Sequence, residues 1–442
     1  MQIKLSDHFS YSRLLRFTFP AMIMTIFTSL YVVVDGLFVA NYAGETALAA
    51  VNFVFPILII LSTFGYLFGT GGSALIAKTL GEGDQEKANS LFSLFVYLCG
   101  GLGAVFAVFG FFFLKPLLAM MGAQGEMLRL SALYGYILLP VMPFWNLQFA
   151  FQTFFVTAEK PKLGLYTTLI AGFANMILDA LFVAIFQWGL LGAALATAFS
   201  QFFGGAIPLF YFFRKNTSLL RLGKCKFDTK AILKAAGNGS SELVNGISGS
   251  LVNILYNARL LHFAGESGVA AYSIMMYVAF IFIGIFFGLV NGSAPVISYH
   301  YGAKNHLELK SLRQKCVTLC IGGSVFMLAL SQILASPLSA IFAGYDAHLF
   351  DMTLHGFRLY AISFLFSGLA ILGSAFFTAL NDGLVSATIS ILRTIVFQVG
   401  CVLILSIFWK LDGIWLAIAF SEALSAATTV FFLITMRKKY NY

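Results

Sequence analysis

Long apolar stretches recur from one end of the chain to the other, separated by short polar segments. A helix needs about 20 apolar residues to cross the hydrocarbon core of a bilayer, and most of these stretches are that long. The short alternating strands of a membrane β-barrel are absent from the sequence. The pattern therefore predicts an all-α integral membrane protein with twelve transmembrane spans, at residues 14–38, 49–77, 89–114, 128–156, 164–186, 189–213, 231–262, 268–297, 312–335, 354–379, 384–408 and 412–436.

Composition supports this assignment. The chain has 442 residues, of which 60% are hydrophobic and 10% are charged, whereas a soluble protein carries roughly 25% charged residues. The five cysteines form no CxxC motif, and we expect them to pack in helices instead of binding a metal.

The basic residues lie on one side of the predicted membrane. Of the 27 Lys and Arg residues, 21 fall at the termini or in the loops on the same side as the termini. Basic loops are retained in the cytoplasm, so both termini are predicted to be cytoplasmic in a multi-pass protein of the cell (inner) membrane. The net charge of +9 is explained by these short loops, and no nucleic acid partner is expected.

The two halves of the sequence repeat. YAGETALAA at 42–50 matches FAGESGVAA at 263–271, and Gly81 matches Gly302 at the same offset of 221 residues. Six spans separate the copies, so the halves have the same orientation, as in transporters whose site lies between or within two lobes. We predict an N-lobe (1–213), a cytoplasmic linker (214–230) and a C-lobe (231–442). The basic stretch 214–234 is interpreted as a membrane anchor, with a lipid-headgroup site as the alternative.

Four acids fall well inside predicted spans: Asp35, Asp179, Glu242 and Glu422. A bare carboxylate in hydrocarbon costs about 3 kcal/mol on the insertion scale, so such residues are usually functional. Asn175 precedes Asp179 by four residues and shares its helix face. The offset of 221 places Tyr256 opposite Asp35, and no acid lies opposite Asp179. The lobes are therefore expected to share a fold and to differ in chemistry.

Two carboxyl groups in one low-dielectric cavity can hold a proton between them or bind a cation instead. Asp35 and Asp179 are therefore predicted to serve ion coupling. Glu422 and Arg393, in spans 12 and 11, are expected to pair with each other, with a direct role in transport as the alternative. Motifs of the HExxH, GxSxG and P-loop types are missing, so an enzyme or an ATP-driven pump is not expected.

Three stretches carry a family resemblance: VVDGLFVANYAG around Asp35, SALIAKTLGEGDQEKA at the end of span 2, and NMILDALFVAIFQWGLLGAALATAFSQ in spans 5 and 6. Together with the repeat, they resemble the multidrug and toxic compound extrusion (MATE) transporters over nearly the whole chain. The resemblance implies two six-helix lobes in a V shape that export organic cations or other amphiphiles in exchange for H+ or Na+.

The resemblance also implies roles for individual residues. Asp35, Asn175 and Asp179 match the family's N-lobe cation-binding cluster, and Gln152 and Thr197 resemble its further polar members. Pro20 matches a proline at which helix 1 is proposed to bend. Glu242 resembles the span-7 glutamate of a branch with a C-lobe sodium site, but span 10 lacks that branch's aspartate. Coupling in the N-lobe is therefore favoured, with Na+ ligands at Asp35, Asn175, Asp179 and Thr197 if the ion is sodium.

We expect a cation-coupled antiporter for small amphiphilic molecules, embedded in the bilayer as a monomer and without a cofactor other than its coupling ion. The alternative is a flippase for lipid-linked oligosaccharide or lipid II in the same superfamily. Those flippases tend to line the cavity with Arg and Lys, whereas this N-lobe carries acids.

Overall fold

The computed structural model describes residues 3–344 and 346–442, apart from the side chain of Glu45, so the first two residues of the predicted N-lobe lie outside it. Within these ranges the regular structure is helical throughout. The helices are α1 (Tyr11–Phe38), α2 (Glu45–Gly81), α3 (Gln85–Met120), α4 (Gly125–Leu138), α5 (Met142–Thr157), α6 (Pro161–Asp179), α7 (Leu190–Phe213), α8 (Thr229–Gly302), α9 (His306–Ala343), α10 (Ala347–Ala361), α11 (Phe364–Ala379), α12 (Gly383–Ile391), α13 (Gln398–Thr435) and α14 (Arg437–Tyr440).

The helices fit a polytopic membrane protein. In the described part of the chain, nine helical segments are long and apolar enough to cross a membrane, and a tenth forms if α10 and α11, which meet at 49°, make one span. Both α8 and α13 contain a break, at Gly265 (φ 63°) and Lys410 (φ 50°). The breaks fall where the sequence separates spans 7 and 8 and spans 11 and 12. The all-helical prediction is confirmed, and twelve spans are consistent with this arrangement.

The internal repeat also appears in the backbone. Of the twelve described residues with positive φ, eight form four pairs that are separated by 221 or 222 positions, with one member in each half of the chain. Because such a conformation reverses the chain direction sharply, the paired residues mark equivalent turns. The pairs are Gly44 with Gly265, Gly83 with Lys304, Glu159 with Asn381, and Gly189 with Lys410.

The two lobes meet closely at the end of the molecule that holds the termini, which we call the terminal end. A Cβ atom on Gly71 would lie 2.0 Å from the Ala235 carbonyl oxygen, and one on Gly302 would lie 2.1 Å from that of Lys78. Gly288 is similarly close to Met22. Such contacts between backbones require glycine, and rows of small residues are the usual means of packing membrane helices.

The opposite end of the molecule is open. Tyr277 and Phe280, which line a cavity between the lobes, are 45% and 51% exposed. The lobes therefore form a cleft that is closed at the terminal end.

A short N-terminal segment, residues 3–10, ties the lobes together at the terminal end. The Leu5 amide donates to Glu159 Oε1 at 2.7 Å in the N-lobe, and the Phe9 amide donates to Glu308 Oε1 at 2.9 Å in the C-lobe. Burial raises the pKa of Glu159, although the hydrogen bond from Leu5 opposes that shift. Any motion that separates the lobes at this end must break one of these contacts.

Replacing Gly71 by Ala is expected to lower the free energy of unfolding by about 1–3 kcal/mol, because the added methyl group overlaps the α8 backbone. The measurement is thermal unfolding of the purified protein in detergent. Gly101→Ala is the matched control, since a Cβ there meets no atom of the described residues within 4 Å and alanine favours the helix. Equal stability of the two variants would contradict the close packing described above.

Candidate functional site

Helices α1, α6 and α7 bring Asp35, Asn175, Asp179 and Thr197 together. Thr197 donates from Oγ1 to Asp35 Oδ1 at 3.5 Å, and Asp35 also lies within interaction range of Asp179 and Asn175. Asp179 and Asn175 are buried, whereas Asp35 is half-buried at the edge of a cavity. The structure thus places four of the sequence-predicted site residues in one cluster.

Each of the two helices that carry an aspartate changes from an α-helix to a π-helix close to that aspartate. The helix of Asp35 continues as a π-helical turn at Val39–Ala43, and that of Asp179 continues as one at Ala180–Ile185. A π-helical turn inserts an extra residue and is frequent at functional sites, since it rotates the following side chains. The winding therefore changes within one turn of each carboxyl group.

Several oxygen atoms in the cluster lack a hydrogen-bond partner. Among the described residues, both carboxyl oxygens of Asp179, Asn175 Oδ1 and Gln201 Oε1 are buried without one. Leaving such groups unpaired costs free energy, most of all for a carboxylate. A bound cation or a proton removes this cost, and oxygen is the ligand type that a hard cation prefers. The donor set therefore fits Na+ or H+.

The cluster opens into a cavity of about 280 Å³, which N-lobe residues form together with Tyr277 and Phe280 of α8. Tyr31 and Gln201 line this cavity, and neither was predicted from the sequence. Tyr31 could have been found because it precedes Asp35 by four residues and so shares its helix face. Gln201 could have been found because it matches Glu422 in the repeat.

A second cavity, of about 400 Å³, lies between the lobes. Its wall includes Gln152 and Glu242. Asn245 and Asn291 also line it, and neither belongs to a sequence pattern that marks a functional residue. Gln152 thus lies apart from the aspartates, and its Oε1 accepts a hydrogen bond from the Tyr66 hydroxyl at 3.2 Å. The two cavities are adjacent, because both are lined by Ile59, Tyr66, Phe149 and Phe280.

Pro20 lies in α1, which continues as one helix from Tyr11 to Phe38. The proline is buried, two residues before the backbone of Met22 that contacts Gly288. It therefore lies where α1 packs against the C-lobe, about four helical turns from Asp35.

Arg393 and Glu422 contact each other inside the C-lobe. The guanidinium donates from Nε at 3.1 Å and from Nη2 at 2.9 Å to Glu422 Oε1, and the exposed fractions of the two residues are 8% and 3%. At the position equivalent to Asp35, Tyr256 is buried and stacks on Tyr272 with ring centroids 5.1 Å apart. Glu422 therefore has its partner within the C-lobe, whereas the carboxyl oxygens of Asp179 have none among the described residues.

Known proteins resemble this chain over nearly its whole length. The MatE family profile matches residues 20–181 and 231–404. The multidrug export protein MepA of Staphylococcus haemolyticus is 24% identical over 435 residues, which cover 97% of this chain and 94% of that protein.

Solved structures share the fold. An outward-facing multidrug resistance MATE transporter of the MOP superfamily has a TM-score of 0.92 at 21% identity, covering 98% of this chain and 97% of that one. A MOP superfamily transporter from Pyrococcus furiosus Vc1, described as having a binding pocket of reverse polarity that suggests a different function, has a TM-score of 0.90 at 21% identity and covers 98% of both chains.

Arg393→Met alone is expected to destabilise the protein by about 3–5 kcal/mol, because it leaves the Glu422 carboxylate buried and unpaired. The double variant Arg393→Met/Glu422→Leu should recover most of this loss, since neither charge then remains. Thermal unfolding in detergent measures both. Equal losses in the single and the double variant would show that the residues do not act as a pair.

Proposed function

Because this chain belongs to the MatE family, whose members are membrane transporters, we propose that it is an antiporter that exports small amphiphilic molecules in exchange for H+ or Na+. The chain is a multi-pass membrane transporter, and its curated relatives are multidrug exporters. We propose the exchange for H+ or Na+, the outward direction of substrate transport and the amphiphilic class of substrate. We also propose that the protein is a monomer in the cell (inner) membrane and that both of its termini are cytoplasmic.

One observation carries the proposal: a cluster of buried oxygens, several of which have no hydrogen-bond partner among the described residues, adjoins a cavity that lies between the lobes. Asp35 and Asp179 supply the negative charge, and Asn175 and Thr197 supply neutral oxygens. The neighbouring cavity combines aromatic walls with the Glu242 carboxyl group, which suits a flat organic cation. Ion and substrate would therefore occupy separate sites with common walls.

The excess of basic residues in loops at the terminal end supports a cytoplasmic location for that end. The cleft is closed there and open at the other end, so this conformation corresponds to an outward-facing transporter. The resemblance to a solved outward-facing transporter agrees with this orientation.

In the proposed cycle, the inward-facing protein takes substrate from the cytoplasm or the inner leaflet and changes to the outward-facing conformation. A cation then binds between Asp35 and Asp179. The resulting change in side-chain packing reaches the substrate cavity through Tyr66 and Phe149, which line both cavities. The substrate leaves, and the cation-loaded protein returns. A bound cation neutralises the carboxylates and so lowers the free energy needed to remove the cluster from water. The return to the inward-facing conformation therefore needs the cation.

The alternative is a flippase for a lipid-linked anionic substrate. Holding a pyrophosphate requires Lys or Arg in the cavity, yet the described residues that line the two large cavities include Asp35 and Glu242 and no basic side chain. The pocket of reverse polarity in the similar Pyrococcus furiosus transporter shows that polarity varies within this fold. The acidic lining favours export of cations.

Asp35→Asn is expected to abolish gradient-driven transport of an aromatic cation dye such as ethidium, because the amide cannot hold the coupling cation's charge. Uptake into proteoliposomes under an imposed proton or sodium gradient measures this. Asp351→Asn, which neutralises an exposed acid in α10, should leave transport unchanged. Full coupled transport by the Asp35 variant would reject the assignment of the coupling site.

Thr197→Val distinguishes the two candidate ions. Sodium needs several oxygen ligands, so loss of the Thr197 hydroxyl should raise the half-maximal Na+ concentration at least about tenfold, whereas a proton shared by carboxyl groups does not need it. The measurement is dye transport as a function of Na+ at constant pH and as a function of pH without Na+. If the wild type is driven by Na+ and the variant keeps the same half-maximal Na+ concentration, Thr197 is not a sodium ligand; if the wild type is driven by protons, the variant should keep its pH dependence.

A further inference from the structure

The linker between the lobes is held in a defined position along α3. Side chains of α3 bond to its backbone: Gln85 donates to the Leu219 carbonyl at 2.8 Å, and Asn89 accepts from the Arg221 amide at 3.0 Å. One turn further, Ser93 accepts from the Gly223 amide at 3.0 Å. The Tyr97 hydroxyl donates to the Gly223 carbonyl at 3.1 Å, and Ser90 accepts from the Lys226 amide at 3.3 Å.

These polar residues form a regular stripe on α3. Gln85, Asn89, Ser93 and Tyr97 follow one another at intervals of four residues, so they lie on one face of the helix. They bond to backbone atoms of the linker and leave its basic side chains free of this contact. The bonds extend from the first turn of α3 to its fourth, so the linker runs beside the helix at the depth where a membrane span meets the headgroup layer.

The segment that is held in this way presents a cationic surface. Arg221, Lys224 and Lys226 are exposed, and within the described part of the chain no carboxylate oxygen lies within 4.0 Å of their charged groups. Phe227 follows directly and is 79% exposed. An aromatic ring beside several basic side chains is a common arrangement where a protein meets the lipid interface.

We propose that residues 221–227 form a docking surface for anionic phospholipid headgroups. The guanidinium and ammonium groups would bind the phosphodiester, and Phe227 would enter the interface between headgroups and acyl chains. Loose basic loops attract anionic lipid only through diffuse charge. Here the stripe on α3 fixes the backbone, so the charges stay together and lose little conformational freedom on binding. The surface lies outside the coupling site and does not depend on the proposed transport cycle.

The test uses the full-length protein purified in detergent and titrated with dioleoylphosphatidylglycerol or dioleoylphosphatidylcholine, with bound lipid counted by native mass spectrometry. Each basic residue near an anionic headgroup contributes about fivefold to affinity. The variant Arg221→Gln/Lys224→Gln/Lys226→Gln should therefore bind phosphatidylglycerol at least about tenfold more weakly. The control Lys304→Gln/Lys310→Gln/Lys438→Gln removes as much charge from exposed positions at the same end of the molecule and should bind as the wild type does.

A second pair of variants tests the role of α3. Asn89→Ala/Ser93→Ala keeps every charge and removes two bonds to the linker, so phosphatidylglycerol affinity should fall severalfold. Arg221→Lys should retain binding, and thermal unfolding of each variant confirms that it is folded.

Each of the following results would overturn the proposal. The first is equal weakening by the linker and control triple variants, which indicates diffuse charge. The second is wild-type affinity in Asn89→Ala/Ser93→Ala. The third is equal binding of the two lipids by the wild type, or release of phosphatidylglycerol by equimolar inorganic phosphate, which indicates an anion site and not a membrane surface.

Discussion

The absence of water in the bilayer core is the constraint on which this structure depends, because every buried polar group must find a partner inside the protein. The C-lobe meets this constraint with a hydrogen-bonded ion pair between Arg393 and Glu422. In the N-lobe, Asp179 and Asn175 have buried oxygens without a hydrogen-bond partner in the described part of the chain. The lobes, which have equivalent topology, thus differ in how they hold an intramembrane acid: Glu422 is paired with Arg393, whereas the carboxyl oxygens of Asp179 have no hydrogen-bond partner among the described residues.

Packing between the lobes relates this cluster to the rest of the molecule. Glycines such as Gly71 and Gly302 let the backbones of α2 and α8 touch at the terminal end, and the N-terminal segment adds hydrogen bonds across the same junction. These contacts are confined to one end, which leaves the cavities open at the other. The linker lies beside α3 and connects the lobes without filling the cleft between them.

Much of the site could be predicted from the sequence, since an acid in an apolar helix is conspicuous. Asp35, Asp179, Asn175 and Thr197 were all selected in this way or by family resemblance, and the structure places them together. Tyr31 and Gln201 are not predicted as site residues, because a tyrosine or a glutamine in a span indicates no function unless its spatial neighbours are known. The family resemblance groups Gln152 with the aspartates, whereas the structure places it in the wall of the neighbouring cavity. Sequence distance does not reveal which of two adjoining cavities a side chain faces.

The sequence by itself determined the helical fold, the positions of the breaks near Gly265 and Lys410 and the internal repeat, because hydrophobic length and turn residues act locally along the chain. Only the tertiary structure decided which polar atoms are left unpaired, which end of the cleft is closed and how the linker lies on α3. These properties depend on contacts between residues that are far apart in sequence. Such contacts follow from the packing of whole helices, which no local pattern of hydrophobic and polar residues specifies.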